Sequence, residues 1–433
     1  MKSNNILNPE SGYTFRDLFD PLKLKLLTED FYSYFEKKDK ENFEEFRRYE
    51  SAKGEGFTGL QISNVLINAS VVLSDFLVKL FRLEAEQQMF FDEISYEKDI
   101  LTFKKDFVQR RVFKKFKKED LHSFDFIELD GYVQKLKQTV FADYDFAGDE
   151  EKYTAMFILE LTELEKNYKW FYEGDKFAPE NFTIPESILT RTKSILSKLR
   201  SVKIIKDEHT TDGKSDLHSL KQILHVIEKW IFVKRFSDNN TKKWSSYFDP
   251  EKIDFNNLVR HENPDENFPE LIQAPSDRHR ARKGFKLTDP RMGKREVLNH
   301  IDYCMYCHDR EKDSCSKGLN DRFGVRKKNP LGVVLDGCPL NEKISEMHIV
   351  RKKGFPLASL ALVVIDNPNV PGTGHRICND CMKSCIFQTQ EPVNIPQAET
   401  NILTDVFKLP YGYEIYSLLT RWNPLNIKRQ YEL

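Results

Sequence analysis

Seven cysteines crowd the carboxyl-terminal part of the chain: Cys304, Cys307, Cys315, Cys338, Cys378, Cys381 and Cys385. None stands elsewhere in the 433 residues. Two Cys-x-x-Cys pairs, Cys304–Cys307 and Cys378–Cys381, each suit two ligand positions of one metal site. The short turn brings both sulfurs to one centre while backbone N–H groups point at them. A zinc ion bound by four thiolates would leave Cys315, Cys338 and Cys385 idle. Seven thiolates in this span ask for a larger cofactor. Two iron–sulfur clusters need about eight ligands, and seven thiolates with one oxygen ligand meet that count. Cys338-Pro339 fits the same chemistry, because in two-cluster ferredoxins a Cys-Pro closes a cysteine run while ligating the other cluster.

The order Cys-x-x-Cys, Cys, Cys-Pro, then a cysteine triplet followed by Pro-Val-Asn-Ile-Pro-Gln-Ala-Glu, resembles a known module. It is similar to the N-terminal iron–sulfur domain of glutamate synthase small subunits and dihydropyrimidine dehydrogenase, over roughly residues 297–409. The runs DYCMYCHDREKDSCSKGL and GHRICNDCMKSCIFQTQEPVNIPQAET resemble the large bacterial FAD-dependent pyridine-nucleotide oxidoreductases that carry this module, and the first 300 residues resemble their N-terminal extension. The resemblance implies two [4Fe-4S] clusters. It groups Cys304, Cys307, Cys315 and Cys385 on one, and Cys338, Cys378, Cys381 and Glu399 on the other. A carboxylate ligand implies a low potential for the second. The chain departs from the glutamate synthase pattern. Seven residues separate Cys307 from Cys315 where that pattern has four, and 22 separate Cys315 from Cys338 where it has three. Cys378 and Cys381 stand two apart instead of three. His308 and His375 flank the cysteines as alternate ligands or as donors to a cluster sulfur.

The function implied is an electron-transfer subunit of a flavin-dependent NAD(P)H oxidoreductase, not catalytic alone. The family's flavin half would follow TRWNPLN with a strand and a Gly-rich turn, which this chain does not contain. FAD and NAD(P)H are therefore expected on a flavoprotein partner, since splitting a hydride into single electrons is the flavin's task. The apolar stretch 409–425, with Tyr411, Tyr413, Tyr416 and Trp422, suits either a docking surface or a surface-packed helix. The alternative is a zinc-stabilised binding module, with Cys304, Cys307, Cys378 and Cys381 around one ion and the basic stretch 104–118 on nucleic acid.

The elements that must position these residues read as helices. Of 33 phenylalanines, 29 precede residue 300, whereas nine of 18 prolines and eight of 18 glycines follow it. Apolar residues recur at three-to-four spacing through residues 20–45, 60–90, 153–172, 184–205 and 215–236, with no repeat of fixed period. The fold expected is mainly α: an all-helical domain over 1–275, a linker over 276–300 and a smaller, loop-rich iron–sulfur domain over 301–433. Gly54-Glu55-Gly56-Phe57-Thr58-Gly59 matches the dinucleotide pattern letter for letter. A charged helical run precedes it instead of a strand, so it reads as an interhelix turn. Residues 104–118 carry eight basic side chains and one acid over an apolar stripe, a solvated face more readily than a nucleic-acid or membrane patch, with an acidic partner surface between the two. His218 and His225 lack a metal-binding context. A net charge of -1 argues against nucleic-acid coating. The amino terminus lacks a secretory signal's apolar core. The stretch 60–81 carries Asn64, Asn68, Asp75 and Lys79, which suits a buried helix and not a membrane span, and a cytoplasmic location follows.

Overall fold

In the computed structural model, residues 7, 12–204, 213–237, 243–276, 279, 282–286 and 291–427 are described, without the side chains of residues 375 and 376. The fold is mainly α. No strand forms among the described residues, where the only extended pairings are four isolated bridges.

Two of the expected helices break where a single residue turns the backbone. The stretch from residue 20 becomes Pro21–Lys38 and Lys40–Ser51, because Asp39 ends one helix and its carboxylate caps the next at the Asn42 N–H. The stretch from residue 60 becomes Gly59–Phe81 and Glu84–Thr102, separated by Arg82 in the left-handed region. Thr58 and Gln61 close a reciprocal cap at the start of Gly59–Phe81. The glycine-rich run before it joins two helices, with Gly54 and Gly56 both at φ +79°.

The chain divides into two compact units, Ser95–Asp249 and the remainder, Met1–Ile94 with Pro250–Leu433. The expected boundaries at 275 and 300 do not mark this division, and the first 94 residues belong with the cysteine-bearing part. The reason is the helix Gly59–Phe81, apolar on most faces and in need of cover on those faces. Pro21–Lys38 and Lys40–Ser51 cover part of it, and Ile344–Lys352, Pro356–Asp366 and the turn Cys307–Arg310 cover more. This helix is long and apolar enough to cross a bilayer, and 67% of its most apolar window is buried inside the protein. Trp422 completes the core, packing edge-on against Phe31 and donating its indole N–H to Thr28 at 2.8 Å. In the stretch 409–425, Ile415, Leu418 and Leu419 of Gly412–Arg421 are buried, while Tyr411 and Tyr413 stay exposed.

The unit Ser95–Asp249 is a bundle around Gly213–Ser237, whose Leu220, Ile223, Leu224, Ile227, Trp230 and Ile231 keep helical spacing and are fully buried. Phe126–Val140, Glu150–Tyr172 and Glu186–Ser201 surround it. The basic stretch begins as a π-helix, Phe103–Val112, and much of its charge is matched within the bundle. Arg111 meets Glu165 at 2.7 Å and Glu228 at 2.9 Å, and Lys115 meets Glu228 at 2.7 Å. His225 lies beside Lys115 and His218 beside Gln222, each at 2.9 Å.

Candidate cofactor site

The unit containing the cysteines gathers them through short turns. Helix Lys294–Tyr303 delivers Cys304 at its end, and Tyr306, at φ +47°, turns the chain into the single turn Cys307–Arg310. A second turn, Ser314–Lys317, carries Cys315, and a third, Asp380–Lys383, carries Cys381 just before Cys385. The Tyr303 and Phe387 rings stack at 4.4 Å, joining the segment of Cys304 to that of Cys385.

Two groups result. Cys304, Cys307, Cys315 and Cys385 lie within electrostatic reach of one another, with Asp313 beside them. Cys338, Cys378 and Cys381 lie with Glu399, and Glu342 joins them. The Cys338 N–H donates to the Cys315 carbonyl at 2.9 Å, so the two groups share a backbone link. Gly337 precedes that link at φ +86°, where an added Cβ would fall 2.4 Å from the Gly318 nitrogen. Only glycine fits there.

The electrostatics of the groups is dominated by burial. It pushes the Cys304 thiol up to about 12 and raises those of Cys307, Cys315, Cys338, Cys381 and Cys385. Without a positive partner these sulfurs are therefore neutral. Backbone N–H groups oppose burial at chosen sulfurs. Those of Phe387, Val393 and Ile386 point at Cys385, those of Glu342 and Leu340 at Cys338, and that of Tyr306 lies 3.5 Å from the Cys304 sulfur. Glu399, on the helix Ile395–Phe407, is buried and hydrogen-bonded to the Glu342 carboxyl; burial and that neighbour raise its pKa well above the usual range.

Glu342 and Asp313 were not foreseen. Each is one acid in charged text, and only the fold sets it beside sulfur. Burial, then Glu346, raises Asp313 to about 6, and the Cys315 thiol donates to its carboxylate at 3.4 Å. His308 is buried, with Nε2 3.0 Å from Asp309 and Nδ1 without a partner. The side chain of His375 lies outside the described residues.

No family model matches the chain, and no solved structure matches it. Two proteins of Rickettsia prowazekii (strain Madrid E) are similar to it. Uncharacterized protein RP006 is 72% identical over 58 residues, 13% of this chain and 8% of that protein. Uncharacterized protein RP005 is 26% identical over 302 residues, 67% of this chain and 80% of that protein. The chain thus spans less than a tenth of the first relative's length, and neither name carries an activity.

These findings correct the functional expectation. Among the described residues, no group of three or more His, Cys, Asp or Glu could hold a metal ion, and the relatives offer no redox assignment. The electron-transfer subunit is withdrawn. The zinc module goes with it, since Cys304 and Cys307 stand in one group and Cys378 and Cys381 in the other.

Proposed function

We propose that the chain is a cofactor-binding protein whose two sulfur groups each take an inorganic [4Fe-4S] cluster as a fold-stabilising component. No electron relay is part of this reading. Each iron of such a cluster takes one protein ligand, usually a thiolate, and completes its shell with sulfide, so the ligands surround a volume and need not converge on one point. A group unable to hold a single ion is compatible with that geometry. Cys304, Cys307, Cys315 and Cys385 would hold one cluster; Cys338, Cys378, Cys381 and Glu399 would hold the other.

The observation that carries the proposal is the gathering of buried sulfurs from separate turns into two groups, one with Asp313 and one with Glu342 and Glu399, with the Tyr306 N–H 3.5 Å from the Cys304 sulfur. A neutral buried thiol is a weak acceptor and needs no such provision. An amide directed at a buried sulfur suits a thiolate, and a buried thiolate requires a positive centre beside it. When bound, the cofactor would supply that charge and cross-link segments far apart in sequence, coupling its binding to folding.

The test is oxygen-free reconstitution with iron and sulfide, followed by metal analysis and thermal unfolding. Uptake of about eight iron and eight sulfide per chain, with a raised melting temperature, is expected. A colourless protein with no iron uptake and an unchanged melting temperature would overturn the proposal.

A further inference from the structure

Between Cys315 and Cys338 the chain runs out into two turns of the same design. The Asp321 carboxylate accepts the N–H groups of Phe323 and Val325 at 2.8 and 2.9 Å. Eight residues on, the Asn329 side-chain oxygen accepts those of Leu331 and Val333, both at 3.0 Å. The backbone repeats the match: Asp321 N–H bonds the Val325 carbonyl and Asn329 N–H the Val333 carbonyl, each at 2.9 Å. Gly324 and Gly332 take corresponding positions at φ +82° and +79°. Each turn lifts apolar side chains into solvent, Phe323 at 75% exposure with Val325 in the first and Leu331 at 57% with Val333 and Val334 in the second.

The base beneath the turns is fixed. Leu335 is buried, and Leu319 and Leu335 bond across it at 2.9 Å. These are held tips, each fixed by side-chain and backbone hydrogen bonds with its apolar side chains outward. The same stretch carries exposed Arg322, Lys327 and Lys328. Arg326 is engaged by Asn320 and Asp336.

We propose that these twin tips dock on an anionic phospholipid surface. Phe323 and Leu331 would enter the headgroup boundary, and Arg322, Lys327 and Lys328 would meet the lipid phosphates. Charge and shape favour lipid over a protein. A specific protein interface engages roughly 20–30 residues a side, whereas the tips expose only residues 322–328 and 330–334. Two protrusions with cations behind them suit a soft boundary that closes around each one. This inference is independent of the cofactor proposal.

Co-sedimentation of the full chain with vesicles tests it. Binding is expected to phosphatidylcholine vesicles containing phosphatidylglycerol and not to phosphatidylcholine alone, and to weaken with added salt. Lys327→Ala and Lys328→Ala should each lower the partition about fivefold. Phe323→Ser combined with Leu331→Ser should abolish binding while the circular dichroism stays unchanged. Equal binding to both vesicle types, binding to neither, or indifference to these substitutions would overturn the proposal. So would binding to polyglutamate-coated beads that anionic vesicles cannot displace, which would indicate an acidic protein partner.

Discussion

The guanidinium of Arg351 meets the carboxylate of Asp405 at 2.6 Å, with the two side chains 0% and 3% exposed. Asn401 adds a contact at 3.3 Å, while Nε and Nη1 of Arg351 have no partner. The pair joins Ile344–Lys352 to Ile395–Phe407, the helix that carries Glu399. Asp405 also meets Lys294 at 3.4 Å, so Arg351→Met leaves it one cation, whereas Asp405→Leu strands the Arg351 charge. Asp405→Leu should therefore destabilise the chain by about 3–5 kcal/mol in chemical denaturation, and Arg351→Met by less. The double substitution should cost much less, because apolar side chains of similar volume then replace both charges. A double variant that costs the sum of the singles would contradict this.

His348 is entirely buried on the same helix, and neither ring nitrogen has a partner. Burial, then neighbouring His300, holds its pKa down to about 3. The folded protein thus keeps it neutral, while the unfolded chain protonates it below about 6.5. The unfolded state binds the extra proton between those values, so stability falls as pH drops from 6.5 towards 3. The slope from this residue is about 1.4 kcal/mol per pH unit. His348→Leu should flatten it, as read from denaturation midpoints at pH 5 and pH 7.5. An unchanged slope would assign acid sensitivity to other groups.

In the other unit, Glu228 is buried and accepts both Arg111 and Lys115. Lys115 is nearly half exposed, so water screens most of its share. Arg111 is more enclosed and would keep only Glu165. Glu228→Ala should therefore cost about 1.5–3 kcal/mol, and Lys115→Ala well under 1 kcal/mol. Comparable losses from both variants would mean that Lys115, and not Arg111, is the main partner of Glu228.

Helical periodicity was legible because Leu220, Ile223, Leu224 and Ile227 repeat it without interruption. Breaks at Asp39 and Arg82 were not, since a capping carboxylate and one left-handed residue leave the apolar pattern intact. The unit boundaries were hidden for a different reason. The helix Gly59–Phe81 declares itself apolar on most faces, but nothing in its sequence says that Pro356–Asp366 covers it. Spacing alone did not decide which cysteines meet; the grouping came from a family resemblance. The twin turns at Asp321 and Asn329 escaped notice because eight-residue repeats sharing only a Gly and a Val are faint in composition. Glu342 carried no signal at all.

The two sulfur groups make the remaining prediction, which depends on the proposed clusters. Cys315 is buried in the first group and Cys381 in the second, each far from the solvent that could substitute for a lost ligand. After oxygen-free reconstitution, Cys315→Ala and Cys381→Ala should each retain about half the iron and sulfide of the unaltered chain. The Cys338–Cys315 backbone bond does not depend on either side chain, so neither loss should propagate through it. Glu399→Ala should lower occupancy of the second group only, which the Cys315→Ala background would expose as a further loss of iron. Complete loss of iron in both single variants would show that the groups load as one unit. Unchanged iron in both would remove these cysteines from the ligand set.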